Sequence, residues 1–594
     1  MSRSSLPWSR ALCLPSVLFL FGGSALPGCS GEEAAVKPGN PVPAAQEGGP
    51  LQRDALVIAT PVDAKDLLYV VSQTASDSAI IEATSMSAMD GDFDCKITYQ
   101  PELAASWQFS EDGKSITVHL RDDVTWEDGQ PVTADDYKFT YDLVADPAVA
   151  SPRLDMLSHM LPDARPRVID AHTVEFQFKE AYDRTTMLSH LGIPFVPKHV
   201  LDSPGVDRAS LRGHAINATA PLANGPWRVA TWEKNARIVL EPNPKFTGPK
   251  SMIPKLKRVI FKVIPEYATR LLELENGSVD LMDQVLVADA DKLAAEHPEI
   301  QLHRRGWRTL DSVLWNTIDP VDYKAKLDTA KPGVKPSDVK PNHLFGDREV
   351  RRALASAVDV DKLIKDLLTS QVTGEVYGRP AIGTITPALC GAHNDNLQRL
   401  PFDPASARTQ LAALGWTDSN GDGWLDKGGE VMRFTMITNA GNQRRAKAAV
   451  IIQSNLKDVG VDMQIEQLES NTFFERLRAR DYDAALSGFA AGLLIDPGAF
   501  WAPNAEFNFT SYRNPKVDDL IARGMSEPDY EKAKPIWQEL QQTIYDDQPF
   551  AFLYWMDDIV AVNSRFQNTA IDILSPYRRL YQWSVPVDKV KYQQ

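Results

Sequence analysis

The distribution of apolar and polar residues predicts strands at several places along the chain. The apolar run Ala55–Thr60 predicts a first buried strand. Residues 116–120 and residues 174–178 alternate between apolar and polar side chains, and a period of two is typical of strands with one buried face. We therefore expect an antiparallel, strand-rich region between about residues 91 and 219.

After residue 220, strand patterns alternate with helical patterns. Residues 258–264 predict an apolar strand, residues 266–276 a helix, and residues 279–282 another short strand. Gly277 lies where this helix is expected to end, because glycine readily adopts the left-handed conformation found at helix ends.

Residues 432–465 form the clearest unit, with the order strand, helix, strand. Residues 432–436 alternate, an apolar stripe with helical spacing runs through residues 448–459, and residues 461–465 alternate again. A crossover of this kind between parallel strands is nearly always right-handed. Residues 472–475, Thr-Phe-Phe-Glu, predict a capping box that begins a further helix. The body thus contains at least two α/β regions, and a ligand is expected beyond the carboxyl ends of their strands or between domains.

The first 28 residues have the features of an export signal. Arg3 and Arg10 precede the apolar stretch 11–20, and small residues follow it. Residues 26–29, Leu-Pro-Gly-Cys, are similar to a bacterial lipobox, so Cys29 is predicted to become diacylated. Ordinary cleavage beside an incidental cysteine is the alternative.

Residues 29–52 are rich in glycine and proline and have few large apolar side chains. Such a segment buries too little surface to fold, so we predict a lipid-anchored, disordered tether. No later segment has the roughly 18 uninterrupted apolar residues of a membrane span. We expect a protein on the periplasmic side of the cell envelope that contacts the membrane through its lipid anchor alone.

The composition indicates a globular protein of more than one domain. The chain has 594 residues, of which 43% are hydrophobic and 24% charged, and its net charge is −16. The length exceeds the roughly 100–200 residues of one domain. The acidic charge argues against nucleic acid as a partner, because binding to phosphates needs a basic surface.

Two of the four cysteines, Cys95 and Cys390, lie in the predicted folded body. The sequence has no C-x-x-C pair and no Cys/His cluster with the spacing of a zinc site. Two alternatives stay open for these cysteines: a disulfide formed in an oxidising compartment, or two separate buried thiols.

The motifs of common catalytic sites are missing from the sequence. It contains no H-E-x-x-H, no G-x-S-x-G, and no G-x-G-x-x-G after a strand. A hydrolytic pair of carboxylates assembled from distant positions is the enzymatic alternative, but the sequence identifies no such pair. We therefore predict a binding protein that is not an enzyme and uses no cofactor.

One loop resembles a calcium-binding loop. Asp418, Asn420 and Asp422 occupy the first three ligand positions. The twelfth position is Gly429, where a bidentate glutamate is expected. A turn of Asx and glycine residues that needs no ion is therefore favoured, and a calcium site is the alternative.

Short motifs spread over residues 55–560 carry a family resemblance. They are PELAASW at 101–107, EDGK at 111–114, the hairpin 116–129 that ends in WEDG, NGPW at 224–227, residues 238–243, ELENGSVD at 273–280, DREVRRAL at 347–354, YDA at 482–484, DP at 496–497 and DQPF at 547–550. Their number and order make the chain resemble the extracellular solute-binding proteins of family 5, which bind oligopeptides, dipeptides or nickel for ABC importers.

The resemblance implies an α/β fold of the periplasmic binding protein type II. Such proteins have two α/β lobes joined by a hinge, and an extra, strand-rich domain is inserted in the first lobe. The lobes close on a ligand, and the closed form docks on a membrane permease. The predicted divisions are a signal peptide at 1–28, a tether at 29–52, lobe I at 53–90, 220–312 and 556–594, the inserted subdomain at 91–219, and lobe II at 313–555.

The resemblance also suggests where a ligand binds. Peptide-binding members hold the peptide amino terminus with an aspartate, and Gly492 stands at that position here, which argues against dipeptide binding of this kind. Asp496 can supply the charge instead, or it can cap a turn before Pro497. The candidate ligand contacts, each of which can alternatively be a core residue, are Trp315, Asn316, Asn439, Phe489, Asp496, Phe500, Trp501, Tyr554 and Trp555.

The sequence therefore predicts a monomeric, ligand-binding lipoprotein of an ABC importer. Its expected partners are a peptide or similar small solute and the permease subunits. A surface receptor or chaperone with the same fold but without a role in transport is the alternative function.

Overall fold

The computed structural model describes residues 55–590, apart from residues 158, 162–165, 330–333, 491, 504 and 506. The predicted signal peptide, Cys29 and the predicted tether lie outside the described residues. Within the described part of the chain, no helix combines the length and the apolar composition needed to cross a membrane.

Strands and helices follow one another along most of the chain. The strands are β1 (Ala55–Thr60), β2 (Met89–Asp94), β3 (Lys96–Pro101), β4 (Ala104–Phe109), β5 (Ser115–Leu120), β6 (Arg167–Asp170), β7 (Thr173–Gln177), β8 (Trp227–Glu233), β9 (Arg237–Pro242), β10 (Arg258–Val263), β11 (Leu281–Met282), β12 (Ile300–Trp315), β13 (Gly378–Pro380), β14 (Asp426–Lys427), β15 (Glu430–Val431), β16 (Arg433–Asn439), β17 (Asp462–Leu468), β18 (Ala484–Ala490) and β19 (Phe550–Asn563). The α-helices are α1 (Ala75–Thr84), α2 (Ala134–Ala145), α3 (Arg184–Ser189), α4 (Lys198–Leu201), α5 (Ala215–Ala218), α6 (Tyr267–Glu275), α7 (Val287–Glu296), α8 (Pro320–Thr329), α9 (Arg348–Ser356), α10 (Val360–Leu367), α11 (Pro404–Ala413), α12 (Gln443–Asp458), α13 (Ser470–Arg478), α14 (Gly498–Trp501), α15 (Pro515–Ser526) and α16 (Tyr530–Asp547).

One mixed sheet passes through both lobes of the fold. Its order is β17-β16-β18-β12-β19-β11-β1-β10-β9-β8, and β13 also pairs with β19. We call β1 and β8–β11 the sheet of the first lobe and β16–β18 the sheet of the second lobe. The long antiparallel strands β12 and β19 run side by side through both lobes and join them. This is the two-lobed α/β architecture that the sequence predicts.

The pairing of β12 changes where the chain crosses between the lobes. Residues 300–305 pair with β19 alone, whereas residues 309–315 also pair with β18 of the second lobe. The register shifts between these two stretches, and Trp307 has a positive φ of 59°. A short irregular stretch that interrupts a strand is suited to a hinge. The lobe boundaries predicted at 312/313 and 555/556 stay predictions.

The region predicted to be strand-rich contains a separate antiparallel sheet with the order β4-β5-β7-β6 and the hairpin β2–β3. β5 pairs with β7 so that Ile116 faces Phe176 and Val118 faces Val174. These side chains are fully buried against α2, which contributes Tyr137. The alternation read from the sequence is therefore confirmed, and the apolar faces of both strands form a core of their own.

The strand–helix–strand unit of the second lobe is also confirmed. β16 and β17 are parallel neighbours, and α12 connects them. Ala448, Ile452 and Leu456 of α12 are completely buried against Phe434 and Met463 of the two strands. The apolar stripe of the helix thus covers one face of the sheet, as its spacing predicts.

Predictions of helix ends had mixed results. Gly277 has a φ of 73° directly after α6 and Asn276, which confirms its role at the helix end. The capping box predicted at residues 472–475 is wrong, because α13 already begins at Ser470. The carboxylate of Glu469 accepts a hydrogen bond from the Thr472 amide at 3.3 Å, so an acidic residue before the predicted start provides the cap.

Cys95 and Cys390 form a disulfide, with their Cα atoms 4.9 Å apart. Of the two alternatives left open by the sequence, the structure therefore has the bonded pair. Cys95 lies at the tip of the hairpin β2–β3, and Cys390 lies between β13 and α11 on the second lobe.

Candidate functional site

The second lobe contains a cavity of about 490 Å³ near the end of β18. The segment after β13 contributes Thr384, Ile385 and Leu389, and α13 adds Phe474 and Arg478. Most of the other lining residues belong to the end of β18 and to the segment that follows it. The wall is mainly apolar, and five of its side chains are aromatic. Its phenylalanines are Phe474, Phe489, Phe500, Phe507 and Phe509.

Phe489 is the centre of this aromatic wall. Its ring centroid lies 5.0 Å from that of Phe500 and 6.4 Å from that of Phe507. It also stacks on Phe550 of β19 at 5.9 Å. Packing of the rings on one side leaves 37% of Phe507 and 38% of Phe474 exposed. Clustered exposed aromatic side chains offer a large contact area to an apolar ligand group.

The polar groups of the cavity are few. The wall includes Thr384, Arg478 and Asp496, and the last two are exposed. Burial lowers the pKa of His159 in the inserted region, and the negative charge of Asp496 partly opposes this shift. One acidic and one basic group at the edge of an apolar cavity can orient a ligand that carries both charges.

A buried cluster of charged residues lies next to Gly488, one of the residues that line the cavity. Asp311 of β12 accepts hydrogen bonds from Arg444 at 2.9 and 3.0 Å and from Arg445 at 3.0 Å. The Tyr554 hydroxyl donates to the same carboxylate at 3.2 Å. Burial alone would raise the pKa of Asp311, but the two guanidinium groups hold it below its usual value. A Cβ at Gly488 would collide with Asp311 and Arg445, so only glycine fits where β18 passes this cluster.

Three predicted contacts line the cavity, and two more lie directly behind its wall. Phe489, Asp496 and Phe500 line it, as does Gly492, the residue at the expected position of the peptide anchor. Trp501 is buried, and its Nε1 donates to the Thr384 hydroxyl at 2.9 Å. Asn439 accepts a hydrogen bond from Arg445 at 2.8 Å and so belongs to the ion cluster.

The other four predicted contacts lie in the core. Trp315, Asn316, Tyr554 and Trp555 are all 0% exposed. Trp315 stacks on Phe345 at 4.8 Å, and Asn316 donates to the carbonyl oxygens of Arg480 and Tyr482. β12 and β19 are covered on both faces at these positions, so neither side of the strand faces the cavity. The structure thus places these four residues as core residues, the alternative that the sequence left open, and ligand contact by them stays a prediction.

The calcium-like loop satisfies its own side chains. The Asp418 carboxylate accepts hydrogen bonds from the amides of Gly421 and Gly423 at 2.7 and 3.0 Å. Asp422 accepts from the Trp424 amide, and Asn420 accepts from the Asp422 amide. These contacts are those of a turn that holds itself together, which is the interpretation favoured from the sequence.

Several cavity residues had not been predicted. Ile385, Leu389, Phe474, Arg478, Phe507 and Phe509 line the site. The density of aromatic residues between 500 and 509 was an available signal. Leu389 and Phe474 lay far from that signal along the chain, and only the packing of α13 and of the segment after β13 brings them to β18.

A second cavity of about 410 Å³ lies between α1, the hairpin β2–β3 and residues 574–581. Glu82, Asp90 and Glu102 line it together with Arg578 and Arg579. Both arginines pair with Asp90, at 3.1 Å and closer. Loss of surrounding water at the cavity wall raises the pKa of Glu102, which is half-buried, to about 8, and that of Glu82, which is more exposed, to about 7.

These two glutamates predict a pH dependence of stability. A carboxyl group whose pKa is raised in the folded state binds protons more tightly there than in the unfolded chain, so its contribution to stability falls as the pH rises. We expect the melting temperature to fall between about pH 5 and pH 8. Glu82 reaches water inside the cavity, so its effect should be smaller than that of Glu102.

The double variant E82Q/E102Q should have a flatter profile and a higher melting temperature than the wild type at pH 8. Calorimetry at steps of half a pH unit measures this difference. D112N is the matched control, because Asp112 is a surface carboxylate whose pKa is lowered by its hydrogen bond with Ser110. A difference between the wild type and the double variant that does not grow with pH would contradict the prediction.

The sequence and the fold both match known solute-binding proteins. Residues 98–511 match the family described as bacterial extracellular solute-binding proteins, family 5 middle. The chain is 26% identical over 475 residues to the oligopeptide-binding protein AppA of Bacillus subtilis, which covers 79% of this chain and 80% of that protein.

Two solved structures share the fold. The structure of Bacillus subtilis AppA in complex with a nonapeptide has a TM-score of 0.72 at 23% identity, and the match covers 90% of this chain and 99% of AppA. NikZ of Campylobacter jejuni in complex with Ni(L-His) has a TM-score of 0.73 at 23% identity, with the same coverage.

Proposed function

Because the chain belongs to the bacterial extracellular solute-binding proteins of family 5, we propose that it is the periplasmic ligand-binding component of an ABC importer. It captures a peptide or similar small solute between its lobes and delivers it to the permease subunits as a monomer. Cys29 carries the lipid that anchors it to the membrane. The relatives named above, one an oligopeptide-binding protein and one solved with a nickel complex, support a small-molecule cargo.

The aromatic cavity is the observation that carries this proposal. Its volume of about 490 Å³ lies within the range of small-molecule sites. Phe474 and Phe507 line it and keep more than a third of their surface exposed, so they offer apolar surface that a ligand can cover. The ligand we propose therefore has an apolar or aromatic group, which the phenylalanines cover.

The charged edge of the cavity defines the rest of the ligand. No carboxylate stands at Gly492, so an amino group is not held there as in the peptide binders that this chain resembles. Asp496 and Arg478 are exposed at the same cavity and can pair with an ammonium and a carboxylate. A zwitterion with apolar side chains, such as a short peptide, satisfies both features.

Thermal shift of the purified protein tests the function. The library contains tripeptides with phenylalanine or leucine side chains, triglycine as the matched control without apolar side chains, nickel–histidine complexes and sugars. We expect the apolar tripeptides to raise the melting temperature in proportion to the logarithm of their concentration above the dissociation constant. Native mass spectrometry identifies any solute that copurifies. No stabilisation and no copurified solute would overturn the proposal.

Removing an exposed ring should weaken ligand binding without disturbing the fold. F507S is expected to raise the dissociation constant for a triphenylalanine peptide roughly 10- to 100-fold, because a buried aromatic contact contributes about 1.5–3 kcal/mol. V450S on α12 is the control, since Val450 is 59% exposed and lies outside the cavity. Isothermal titration calorimetry measures both variants. If F507S and the wild type bound the peptide with equal affinity, the aromatic side chains of the cavity would not contact the ligand.

A receptor or chaperone role without transport is the second candidate, and the glycine at position 492 motivates it. Pull-down from detergent-solubilised membranes separates the two functions, because only the importer component recovers permease subunits. Labelling with a palmitate analogue tests the anchor, and C29A is expected to lose the label and to be released from the membrane.

A further inference from the structure

The hairpin β2–β3 reaches from the first lobe to the second. Its two strands pair over six positions, from Met89 opposite Pro101 to Asp94 opposite Lys96. Cys95 forms the tip with a φ of 61°. Because the strands are paired along their whole length, the hairpin connects its base to its tip as one element.

Ion pairs fix the base of this hairpin to the first lobe. Arg578, which is almost completely buried, donates to Asp90 and Asp92 at 3.1 Å and to Asp572 at 2.8 Å. Arg579 donates to Asp90 at 3.0 Å and to Asp92 at 2.9 Å. These arginines follow β19 in the chain and pack with the first lobe. The base therefore moves with that lobe.

The tip of the hairpin is held on the second lobe. Cys95 is bonded to Cys390, Phe93 packs against the apolar core of the second lobe, and the Lys96 ammonium lies 5.6 Å from the centre of the Tyr530 ring. Leu389, the neighbour of Cys390, lines the aromatic cavity. The bond therefore lies at the edge of the proposed ligand site.

The segment around Cys390 is itself firmly attached to the second lobe. Gln538 and Gln541 of α16 donate side-chain hydrogen bonds to the carbonyl oxygens of Gly391 and Ala392, both at 2.8 Å. The hairpin thus has one end on each lobe, and its attachments are covalent at the tip and ionic at the base.

We propose that the Cys95–Cys390 disulfide is a covalent strap between the lobes that limits the opening of the ligand cleft. Reduction by a dithiol releases this strap. The lobes are joined by the strands β12 and β19 at one place and by the strap at another. Rotation about the irregular stretch at residues 306–308 would have to pull Cys390 away from Cys95. This inference rests on the proposed function, because the strap would regulate access to the same ligand site.

Release of the strap is ordinary thiol–disulfide exchange. Both cysteines are exposed, so a thiolate can reach them. One thiolate of the dithiol attacks a sulfur of the bond and forms a mixed disulfide, and the other cysteine leaves as a thiolate. The second thiol of the reagent then attacks the reagent sulfur of the mixed disulfide and displaces the remaining cysteine as a thiolate, so that the reagent is oxidised to its cyclic disulfide and the two cysteines together gain two electrons.

Resonance energy transfer between fluorophores on the two lobes tests the strap in the absence of ligand. p-Acetylphenylalanine replaces Val62 after β1 and Val450 on α12, which are 55% and 59% exposed and lie on different lobes. Fluorophores are attached through the ketones, so that neither cysteine is modified. We expect one narrow population in the oxidised protein. Dithiothreitol, and the variant C95S/C390S, should each add a population with lower transfer efficiency.

Circular dichroism of the same samples shows whether the fold is kept, and reoxidation of the reduced wild type should restore the narrow population. Identical transfer distributions in the oxidised, reduced and C95S/C390S proteins would overturn the strap. Loss of structure on reduction would also overturn it, because the bond would then hold the fold rather than the cleft. Since no ligand takes part, a failed ligand screen and a failed strap remain distinguishable.

Discussion

Replacing Asp311 with alanine is expected to lower the free energy of unfolding by about 3–5 kcal/mol, because it leaves two buried guanidinium groups without their counter-charge. Asp311 is completely buried, and Arg444 and Arg445 both depend on it. The loss should be seen in urea denaturation followed by far-UV circular dichroism.

An exposed ion pair provides the control for this prediction. Asp361 pairs with Arg399, with side chains that are 70% and 38% exposed, so D361A should change the stability little. The variant D311N tests whether the charge or the shape matters, since it keeps the size of the side chain. If D311A unfolded at the same urea concentration as D361A, the buried cluster would not stabilise the second lobe.

Replacing Asp280 with alanine should have an effect of the same size, about 3–5 kcal/mol, but in the other lobe. Asp280 is buried and accepts hydrogen bonds from Arg565 at 2.9–3.0 Å and from the Val57 amide at 3.0 Å. Arg565 also donates to the carbonyl oxygen of Ala55 at 2.8 Å. The carboxylate thus ties the first strand of the fold to the segment that follows the last strand.

Hydrogen exchange followed by mass spectrometry separates the two predictions. D280A should increase exchange mainly in β1, β10 and β11, and D311A mainly in β16 and β18, because each cluster lies within one lobe. E233A is the control for D280A, since Glu233 pairs with Arg237 at the surface of the first lobe. Exchange that rose equally in both lobes for D280A would contradict a local role for this ion pair.

The fold could be predicted from the sequence wherever burial has a clear period. Each element among β5, β7 and the unit β16–α12–β17 has one apolar face, so the spacing of its apolar residues predicts whether it is a strand or a helix. β12 and β19 are buried on both faces in the second lobe, and there the pattern cannot distinguish a ligand contact from a core residue. The sequence predicts Trp315 and Tyr554 as ligand contacts from their positions near the crossover between the lobes, and the structure places both in the core.

The candidate site could be predicted only in part. Phe489, Asp496 and Phe500 lie close together in the chain, next to a strand end, and all line the cavity. Leu389 and Phe474 come from other elements, and no local signal connects them to β18. The cluster of Asp311 with Arg444 and Arg445 joins residues more than 130 positions apart, which a single sequence does not reveal.

The position of β19 in the sheet has a consequence for how the chain folds. β19 pairs with β11 of the first lobe and with β12, which continues to β18 of the second, yet among the described residues it comes after every other strand. Until residues 550–563 have paired, the strand order leaves the sheet as two unconnected pieces with open edges. A chain that has not yet placed this strand exposes those edges to other chains, so it depends on whatever shields them until folding is complete.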